Sequence, residues 1–180
     1  MAKFLYSAAM SLDGFIAGPG GDMSWMAGYL GPNPVVDELI MQTGATLAGN
    51  RTFGGDDPHK GQPGEGEAFG GGWEGPQFVL THRPPADPIP GVTFVGDIHT
   101  AIAESRAAAG DKCVNVFGAS VAAQCLLAGV LDEVAVTVMP VLLGDGTRLF
   151  AHPGGNTVWL EQVSVSHTPQ LTNLWYRVTA

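Results

Sequence analysis

The stretch that decides the fold is KCVNVFGASVAAQCLLAGVLDEVAVTVM, residues 112–139. Lys112 to Phe117 is a compact apolar run typical of a buried strand, and Val121 to Ala128 predicts an apolar helix that ends at Gly129. Glu133 to Met139 predicts the next strand. This alternation of strand, helix and strand favours an α/β domain with a largely parallel sheet.

The same pattern extends in both directions along the chain. Further strands are predicted at 3–9, 46–48, 77–81, 92–95, 157–166 and 171–179, and further helices from an Asn33 cap to a stop at Gly44 and from an Asp97 cap through Ala109. The brief connection between the last two strands suits an antiparallel pair. We therefore expect one α/β domain over residues 1–180, with about eight strands and three helices.

Two segments fall outside this alternation. Residues 11–31 are rich in Gly, Pro and Asp and predict a long loop. Residues 54–75 are mostly Gly, Pro and charged residues without periodicity. For residues 54–75, a mobile surface loop and a substrate lid are both open.

Charge and length restrict the possible partners. The chain has 17 Asp and Glu against 8 Lys and Arg, and its net charge of -9 opposes binding to nucleic acid or to an anionic membrane surface. No apolar run approaches the ~18 residues of a membrane span. The apolar N-terminal run is better explained as a strand than as a signal peptide, so the expected location is the cytoplasm.

Several common chemistries lack their sequence signatures. Cys113 and Cys125 lie in apolar surroundings without CxxC spacing, and the histidines show no ligand spacing, so we expect no metal site. The chain contains no GxSxG nucleophile elbow, no phosphate-binding P-loop and no GxGxxG after its first strand. Hydrolase, P-loop and ordinary Rossmann functions are therefore disfavoured.

The turn Phe117-Gly118-Ala119-Ser120 is the strongest candidate for a phosphate site. Gly118 permits a close backbone approach, Ser120 can cap the helix or donate its hydroxyl, and the helix N-terminus favours an anion. A purely conformational role for Gly and Ser in a strand-to-helix turn is the alternative.

Two other turns each follow a predicted strand and carry an arginine. They are Gly49-Asn50-Arg51-Thr52 and Thr81-His82-Arg83. Arginines beside hydroxyls at the strand ends of an open α/β sheet favour a pocket for a phosphorylated cofactor. Ordinary surface salt bridges are the alternative.

The loop SLDGFIA, residues 11–17, suggests a further part of the site. Asp13 could place a proton or contact a polar substrate, while the backbone of Ile16 and Ala17 faces a planar cofactor ring. Trp25 and Phe53 could supply flat walls. The alternatives are an Asp-Gly turn and ordinary aromatic core.

Four segments together resemble the reductase domain of riboflavin biosynthesis, a family of the dihydrofolate-reductase-like superfamily. They are SLDGFIA at 11–17, GNRTF at 49–53, VFGAS at 116–120 and LLAGVLDEVAVTVMPVLLGDGTRLF at 126–150. The resemblance runs from about residue 3 to about residue 178. It implies a dihydrofolate-reductase-like three-layer fold with a mixed eight-stranded sheet and flanking helices, NADPH bound along the strand ends, and a homodimer.

The resemblance also assigns residues to parts of the site. It places one cofactor turn on Gly118, Ala119, Ser120 and Val121 and a second on Gly49 to Thr52. The region of the adenosine 2′-phosphate falls on Thr81, His82 and Arg83. The contact with nicotinamide falls on the backbone of Ile16 and Ala17. Trp25 resembles the loop tryptophan of dihydrofolate reductases, and Thr137 resembles a threonine that lines their substrate pocket.

The chain also departs from the family. Met26 to Leu30 contains no carboxylate that could bind a pterin, which argues against folate as the substrate. Ala119 replaces the commoner glycine, which requires a negative φ there. The zinc-deaminase motifs H-x-E and PCxxC are absent, so we expect a stand-alone reductase domain.

These observations predict an NADPH-dependent oxidoreductase that transfers a hydride to a C=N or C=O bond of a small heterocyclic substrate. Two other functions are open: a non-catalytic NADP(H) or sugar-phosphate sensor, and a reductase that uses a flavin or deazaflavin.

Overall fold

A computed structural model describes residues 1–151 and 155–179. Its strands, in chain order, are β1 (Phe4–Ser11), β2 (Phe15–Ala17), β3 (Thr43–Gly49), β4 (Gln77–Leu80), β5 (Val92–Val95), β6 (Cys113–Phe117), β7 (Leu131–Met139), β8 (Thr147–Arg148), β9 (Trp159–His167) and β10 (Thr172–Thr179). Eight of them form one sheet in the order β5-β4-β3-β6-β1-β7-β10-β9, and β2 pairs with β8 separately.

The helices cover both faces of the large sheet. They are α1 (Pro34–Gln42), α2 (Asn50–Phe53), α3 (Ile98–Ala109) and α4 (Ala119–Leu127), with short 3-10 helices at Pro19–Gly21, Ser24–Tyr29 and Ala68–Gly71. Successive side chains of a strand point to opposite faces. Phe4 and Tyr6 therefore pack with α3 and α4, while Leu5 packs with α1 and Trp175. The result is the expected three-layer α/β architecture.

The pairing directions bring the candidate site together. Strands β5, β4, β3, β6, β1 and β7 are mutually parallel, whereas β10 runs antiparallel to β7 and to β9. The carboxyl ends of the six parallel strands therefore lie at one edge, which we call the carboxyl edge. In open α/β sheets this edge is the usual place for a ligand.

The structure corrects the predicted boundary between α1 and β3. The helix ends at Gln42 rather than at Gly44, and Thr43 already begins the strand. The Thr43 hydroxyl donates to the Leu39 carbonyl at 2.6 Å. A Cβ on Gly44 would collide with the Ala109 carbonyl, so this glycine permits close packing of β3 against the end of α3.

Two further predictions about strands were wrong. The predicted loop 11–31 contains β2, which pairs with β8 as a small second sheet. In addition, β5 is an edge strand with Thr93 exposed, rather than a strand buried on both faces. Short strands with half-exposed residues give a weak periodic signal, which explains why both features were missed.

At the opposite edge, all nine residues of β9 are exposed. The exposed fractions are 70% for Trp159 and 51% for Val165. Within the described residues, no helix has the length and apolar character needed to cross a membrane.

Candidate active site

The turn after β6 has a backbone conformation that favours glycine. Gly118 has φ +94° and ψ +135°, a conformation that L-residues rarely adopt. Ala119 has a negative φ, as its place in the turn requires, and it begins α4. Ser120 is exposed and does not cap the helix, which has no side-chain cap. The N–H groups of the first turn of α4 are thus left for another acceptor.

The two glycine turns meet at the carboxyl edge because β3 and β6 are neighbours in the sheet. Gly49 lies against Val121, whose Cγ2 is 3.2 Å from the position that a Cβ on Gly49 would occupy. A Cβ on Gly118 would collide with the Thr52 hydroxyl. The structure therefore joins the two predicted cofactor turns into one cradle, and only glycine fits at Gly118.

The third predicted turn borders a cleft at the same edge. The Arg83 N–H donates to the Thr81 hydroxyl at 3.1 Å and fixes the turn after β4. The cleft has a volume of about 300 Å³ and is lined by Leu80, Thr81, His82, Gly96, Asp97, Ile98 and Gln124. Asp97 caps α3 by accepting a hydrogen bond from the Thr100 N–H at 2.9 Å. Hydrogen bonds from the Thr100 side chain and from this N–H lower the pKa of Asp97.

The cations divide into paired and unpaired groups. Three form ion pairs: Lys3 with Glu133, Lys60 with Asp56 and Arg177 with Glu161. Arg106 and Arg148 stack over the rings of Phe4 and Phe15. Within residues 1–151 and 155–179, Arg51, Arg83 and Lys112 form no salt bridge. The salt bridges that sequence analysis left open for these two arginines do not form, and both are exposed beside the predicted turns.

Asp13 is held more firmly than an Asp-Gly turn requires. Its carboxylate accepts hydrogen bonds from the Ser11 hydroxyl at 2.6 Å and from the N–H groups of Leu143 and Gly144 at 3.1 and 2.7 Å. The Ser11 hydrogen bond, followed by those of Gly144 and Leu143, lowers the pKa of Asp13 to about 2. The carboxylate is therefore ionised at neutral pH, and this geometry does not support the proton-placing role. Contact with a substrate stays a prediction.

Ile16 and Ala17 follow Asp13 closely in the chain. Both belong to β2, and Ala17 is opposite Thr147 of β8. Their side chains are half-buried, and β2 also contacts β1. The loop that the sequence assigns to the nicotinamide ring is thus part of a small sheet at the carboxyl edge.

Trp25 lies on the 3-10 helix Ser24–Tyr29 and packs with the buried cluster of Met26, Met139 and Leu171. Its indole Nε1 is buried and has no hydrogen-bond partner within the described residues. A second cavity of about 290 Å³ opens close by, between residues 28–32 and residues 168–171.

Thr137 and Phe53 have partners inside the protein. The Thr137 hydroxyl donates to Asn173 Oδ1 at 2.9 Å, and the same oxygen accepts from Asn33 Nδ2 at 2.9 Å. The Phe53 ring packs edge-to-face against Phe94, with centroids 5.8 Å apart. Both substrate-contact roles stay predictions. The buried Asn33–Asn173 pair was missed because no local motif links residues 140 positions apart.

The segment 54–75 is attached to the rest of the protein at three places. Asp56 accepts a hydrogen bond from the Met23 N–H at 3.0 Å, and the Trp73 indole donates to the Thr43 carbonyl at 3.0 Å. Phe69 packs edge-to-face on Phe117, with centroids 5.4 Å apart. Phe117 ends β6 at the carboxyl edge, whereas Thr43 begins β3 at the opposite edge. A surface loop and a substrate lid both stay predictions for this segment. Within the described residues, no group of three or more His, Cys, Asp and Glu side chains gathers as a metal site would require.

The fold and its glycine-lined carboxyl edge define an α/β domain of the dihydrofolate-reductase-like class. The profile of the RibD C-terminal domain matches residues 2–173, and the chain belongs to this family. The family resemblance inferred from the sequence is therefore confirmed. No curated protein matches the chain.

Solved structures agree on the fold. A Shewanella sp. PV-4 protein named for riboflavin biosynthesis is 24% identical with a TM-score of 0.74, and the match covers 100% of both chains. A Thermotoga maritima deaminase/5-amino-6-(5-phosphoribosylamino)uracil reductase is 19% identical with a TM-score of 0.69, and the match covers 99% of this chain and 57% of that one. The Saccharomyces cerevisiae riboflavin biosynthesis reductase Rib7 is 16% identical with a TM-score of 0.63, with 99% and 89% covered.

Proposed function

We propose that the protein is an NADPH-dependent reductase that transfers a hydride to a C=N or C=O bond of a small heterocyclic substrate. The observation that carries the proposal is the cradle at the carboxyl edge. Gly118 has a positive φ and packs against the Thr52 hydroxyl, so the two turns are in close contact, and the uncapped first turn of α4 supplies N–H donors for a pyrophosphate. When bound, NADPH would supply the hydride from its nicotinamide ring.

The charges of the chain support a phosphorylated ligand near Arg51 and Arg83. The net charge of -9 repels anions in general, so a bound phosphate needs local cations. Arg51 and Arg83 are exposed at the carboxyl edge and have no acidic partner in the described part of the chain. We propose that they bind the phosphates of NADPH and that Arg83 selects the 2′-phosphate.

The residues of the chain contribute position and shielding rather than covalent chemistry. The backbone of Ile16 and Ala17 would orient the nicotinamide, while Trp25, Phe53 and Thr137 would line the substrate space. The carboxylate of Asp13 is already engaged by three hydrogen-bond donors, so the proton for the reduced product comes from another source, such as water.

The substrate proposal follows the family. The Thermotoga relative is named as a reductase of 5-amino-6-(5-phosphoribosylamino)uracil, so this compound is the first to test. Dihydrofolate is the matched negative control, because residues 26–30 contain no carboxylate to bind a pterin.

Calorimetric titration of the ligand-free protein with NADPH and NADH tests the cofactor, and NADPH oxidation across a panel of carbonyl and imine compounds tests the reaction. Tight NADPH binding with preference over NADH supports the proposal. NADPH binding without turnover on any compound would favour a sensor, and a yellow chromophore in the purified protein would favour a flavin or deazaflavin. If neither NADPH nor NADH binds, the proposed cofactor is refuted and only the assignment of the fold stands.

We also propose that the single domain forms a homodimer through β9. This strand is nine residues long, contains no Lys or Pro, and exposes Trp159, Leu160, Val163 and Val165. Its one carboxylate, that of Glu161, is paired with Arg177 at 3.2 Å. Monomeric proteins usually protect such an edge with charges or prolines. A second copy of the chain would cover the apolar residues and pair the free backbone groups.

A further inference from the structure

Two segments that are about 130 residues apart in sequence meet at the carboxyl edge. They are the last residue of β1 with the loop that follows it, residues 11–14, and the loop after β7, residues 142–146. The Leu12 N–H donates to the Val141 carbonyl at 2.8 Å, and the Leu149 N–H donates to the Gly14 carbonyl at 3.0 Å. The second loop is among the most distinctive segments of the sequence, and the proposed reaction gives it no role.

Asp13 is the side chain that joins the two loops. One carboxylate oxygen accepts from the Leu143 N–H at 3.1 Å and the other accepts from the Gly144 N–H at 2.7 Å. Gly144 has φ +75°, which lets the two successive N–H groups point at one carboxylate. The Ser11 hydroxyl donates to the same carboxylate at 2.6 Å and fixes its orientation. We call this arrangement the Asp13 latch.

The Asp13 latch is connected through the chain to the residues that would face the cofactor. Beyond Asp13, the chain enters β2, in which Ala17 pairs with Thr147 of β8. A Cβ on Gly146 would collide with the Ala17 carbonyl, so the two backbones are in close contact there. Movement of residues 142–146 would therefore be transmitted directly to Ile16 and Ala17.

We propose that Asp13 is a positioning residue, which sets the backbone of Ile16 and Ala17 for the nicotinamide ring by binding the loop 142–146. The inference rests on the proposed function. It gives Asp13 no proton to transfer and no contact with the substrate. It also explains why the Asp-Gly turn at residues 13–14 meets the distant Gly-Asp-Gly loop at residues 144–146. The turn provides the carboxylate acceptor, and the loop provides the N–H donors.

The test compares Asp13→Asn with Asp145→Asn. Asparagine keeps the size of Asp13 but replaces one acceptor oxygen with an N–H₂ group that faces an N–H donor. Asp145 lies in the same loop and accepts only from its neighbour Gly146, at 2.7 Å, so it is the matched control. Gly146→Ala disturbs the latch by a different route and is a second variant if Asp13→Asn does not fold.

Amide hydrogen exchange on the ligand-free proteins gives the first readout. In Asp13→Asn, exchange should accelerate at Leu143, Gly144 and Ala17, while the α3 amides keep wild-type protection. Asp145→Asn should match the wild type throughout. This part of the test does not depend on NADPH, so it remains informative if the wild-type protein binds no cofactor and the proposed function fails.

Turnover gives the second readout. At saturating NADPH and well below the melting temperature, kcat of Asp13→Asn should fall about 10- to 100-fold, as expected for a misplaced reactant. The isotope effect with NADPH deuterated at C4 should be at least as large as in the wild type, since hydride transfer itself is slowed. A merely structural residue would lower the melting temperature without this change. The inference is overturned if exchange is unaltered, or if kcat of Asp13→Asn equals that of Asp145→Asn.

Discussion

Replacement of Gly118 by alanine tests whether the turn after β6 is a cradle that only glycine can form. The residue has φ +94° and ψ +135°, and an added Cβ would collide with the hydroxyl of Thr52 in the neighbouring turn. Gly129→Ala is the matched control. Gly129 also has a positive φ, +67°, but a Cβ there would meet nothing within 4 Å.

The expected losses differ because only Gly118 combines strain with a collision. At Gly129, a left-handed alanine costs about 1–2 kcal/mol, partly offset by about 0.4–1 kcal/mol from the less flexible unfolded chain. At Gly118, the backbone conformation costs about 1–3 kcal/mol and the extra methyl group a further ~1–3 kcal/mol. We expect a net loss of about 2–5 kcal/mol for Gly118→Ala and of about 1 kcal/mol or less for Gly129→Ala.

The collision can be separated from the strain by a double-mutant cycle with Thr52→Ala. This change removes the hydroxyl, after which the nearest remaining atom of residue 52 is its Cβ, 3.5 Å from the new methyl group. The double variant should therefore recover about 1–3 kcal/mol.

Thermal unfolding and NADPH titration are the assays. For a chain of this length, about 2–5 kcal/mol corresponds to a decrease in Tm of roughly 4–20 °C. The Kd for NADPH should increase for Gly118→Ala and stay unchanged for Gly129→Ala. Equal melting temperatures of the two variants, or no recovery in the double variant, would refute the packing argument; unchanged NADPH affinity in a folded Gly118→Ala protein would refute the cradle.

Three further predictions follow from charge and exposure. Arg51→Ala and Arg83→Ala should each weaken NADPH binding about 10- to 100-fold by calorimetry, and Arg83→Ala should leave NADH affinity unchanged; equal losses for both cofactors would exclude selection by Arg83. The pKa of Asp13 is lowered to about 2 from an ordinary value of 3.8, so its stabilising contribution is complete above pH 4 and is lost as the pH falls from about 4 to 2. The free energy of unfolding in urea should depend less on pH over that range in Asp13→Asn than in the wild type. An equal pH dependence in the two proteins would contradict a stabilising role for the Asp13 carboxylate. Val165→Lys should convert the dimer to a monomer in light scattering, while Leu127→Lys on the exposed side of α4 should not; a monomeric wild-type protein would end the dimer proposal.

The sequence predicted the main elements well where apolar runs were long or capped. The helix from the Asp97 cap to Ala109 and the antiparallel final pair were both confirmed. The predicted helix end at Gly44 was wrong, because this glycine lies in β3 and permits the strand to pack against α3. The strand β2 was missed because three residues, one buried and two half-buried, are too few to show a period.

For the candidate site, local motifs identified the turns but not what each residue does there. Gly118 has the positive φ that the conformational alternative for this turn requires, whereas Ser120 does not cap its helix. The phosphate role of the turn stays a prediction. Asp13 was predicted to act on the substrate or its proton, and that role stays untested. The hydrogen bonds that its carboxylate accepts from Leu143 and Gly144 were not predicted.

By itself, the sequence determined the fold class and the family, because periodicity, caps and turn glycines are local and are read within one element or its neighbour. Only the tertiary structure decided which turns form one cradle, which arginines lack partners and which loop Asp13 holds. Those features depend on strand order and register, which bring together residues that are far apart in the sequence, and no local pattern records such contacts.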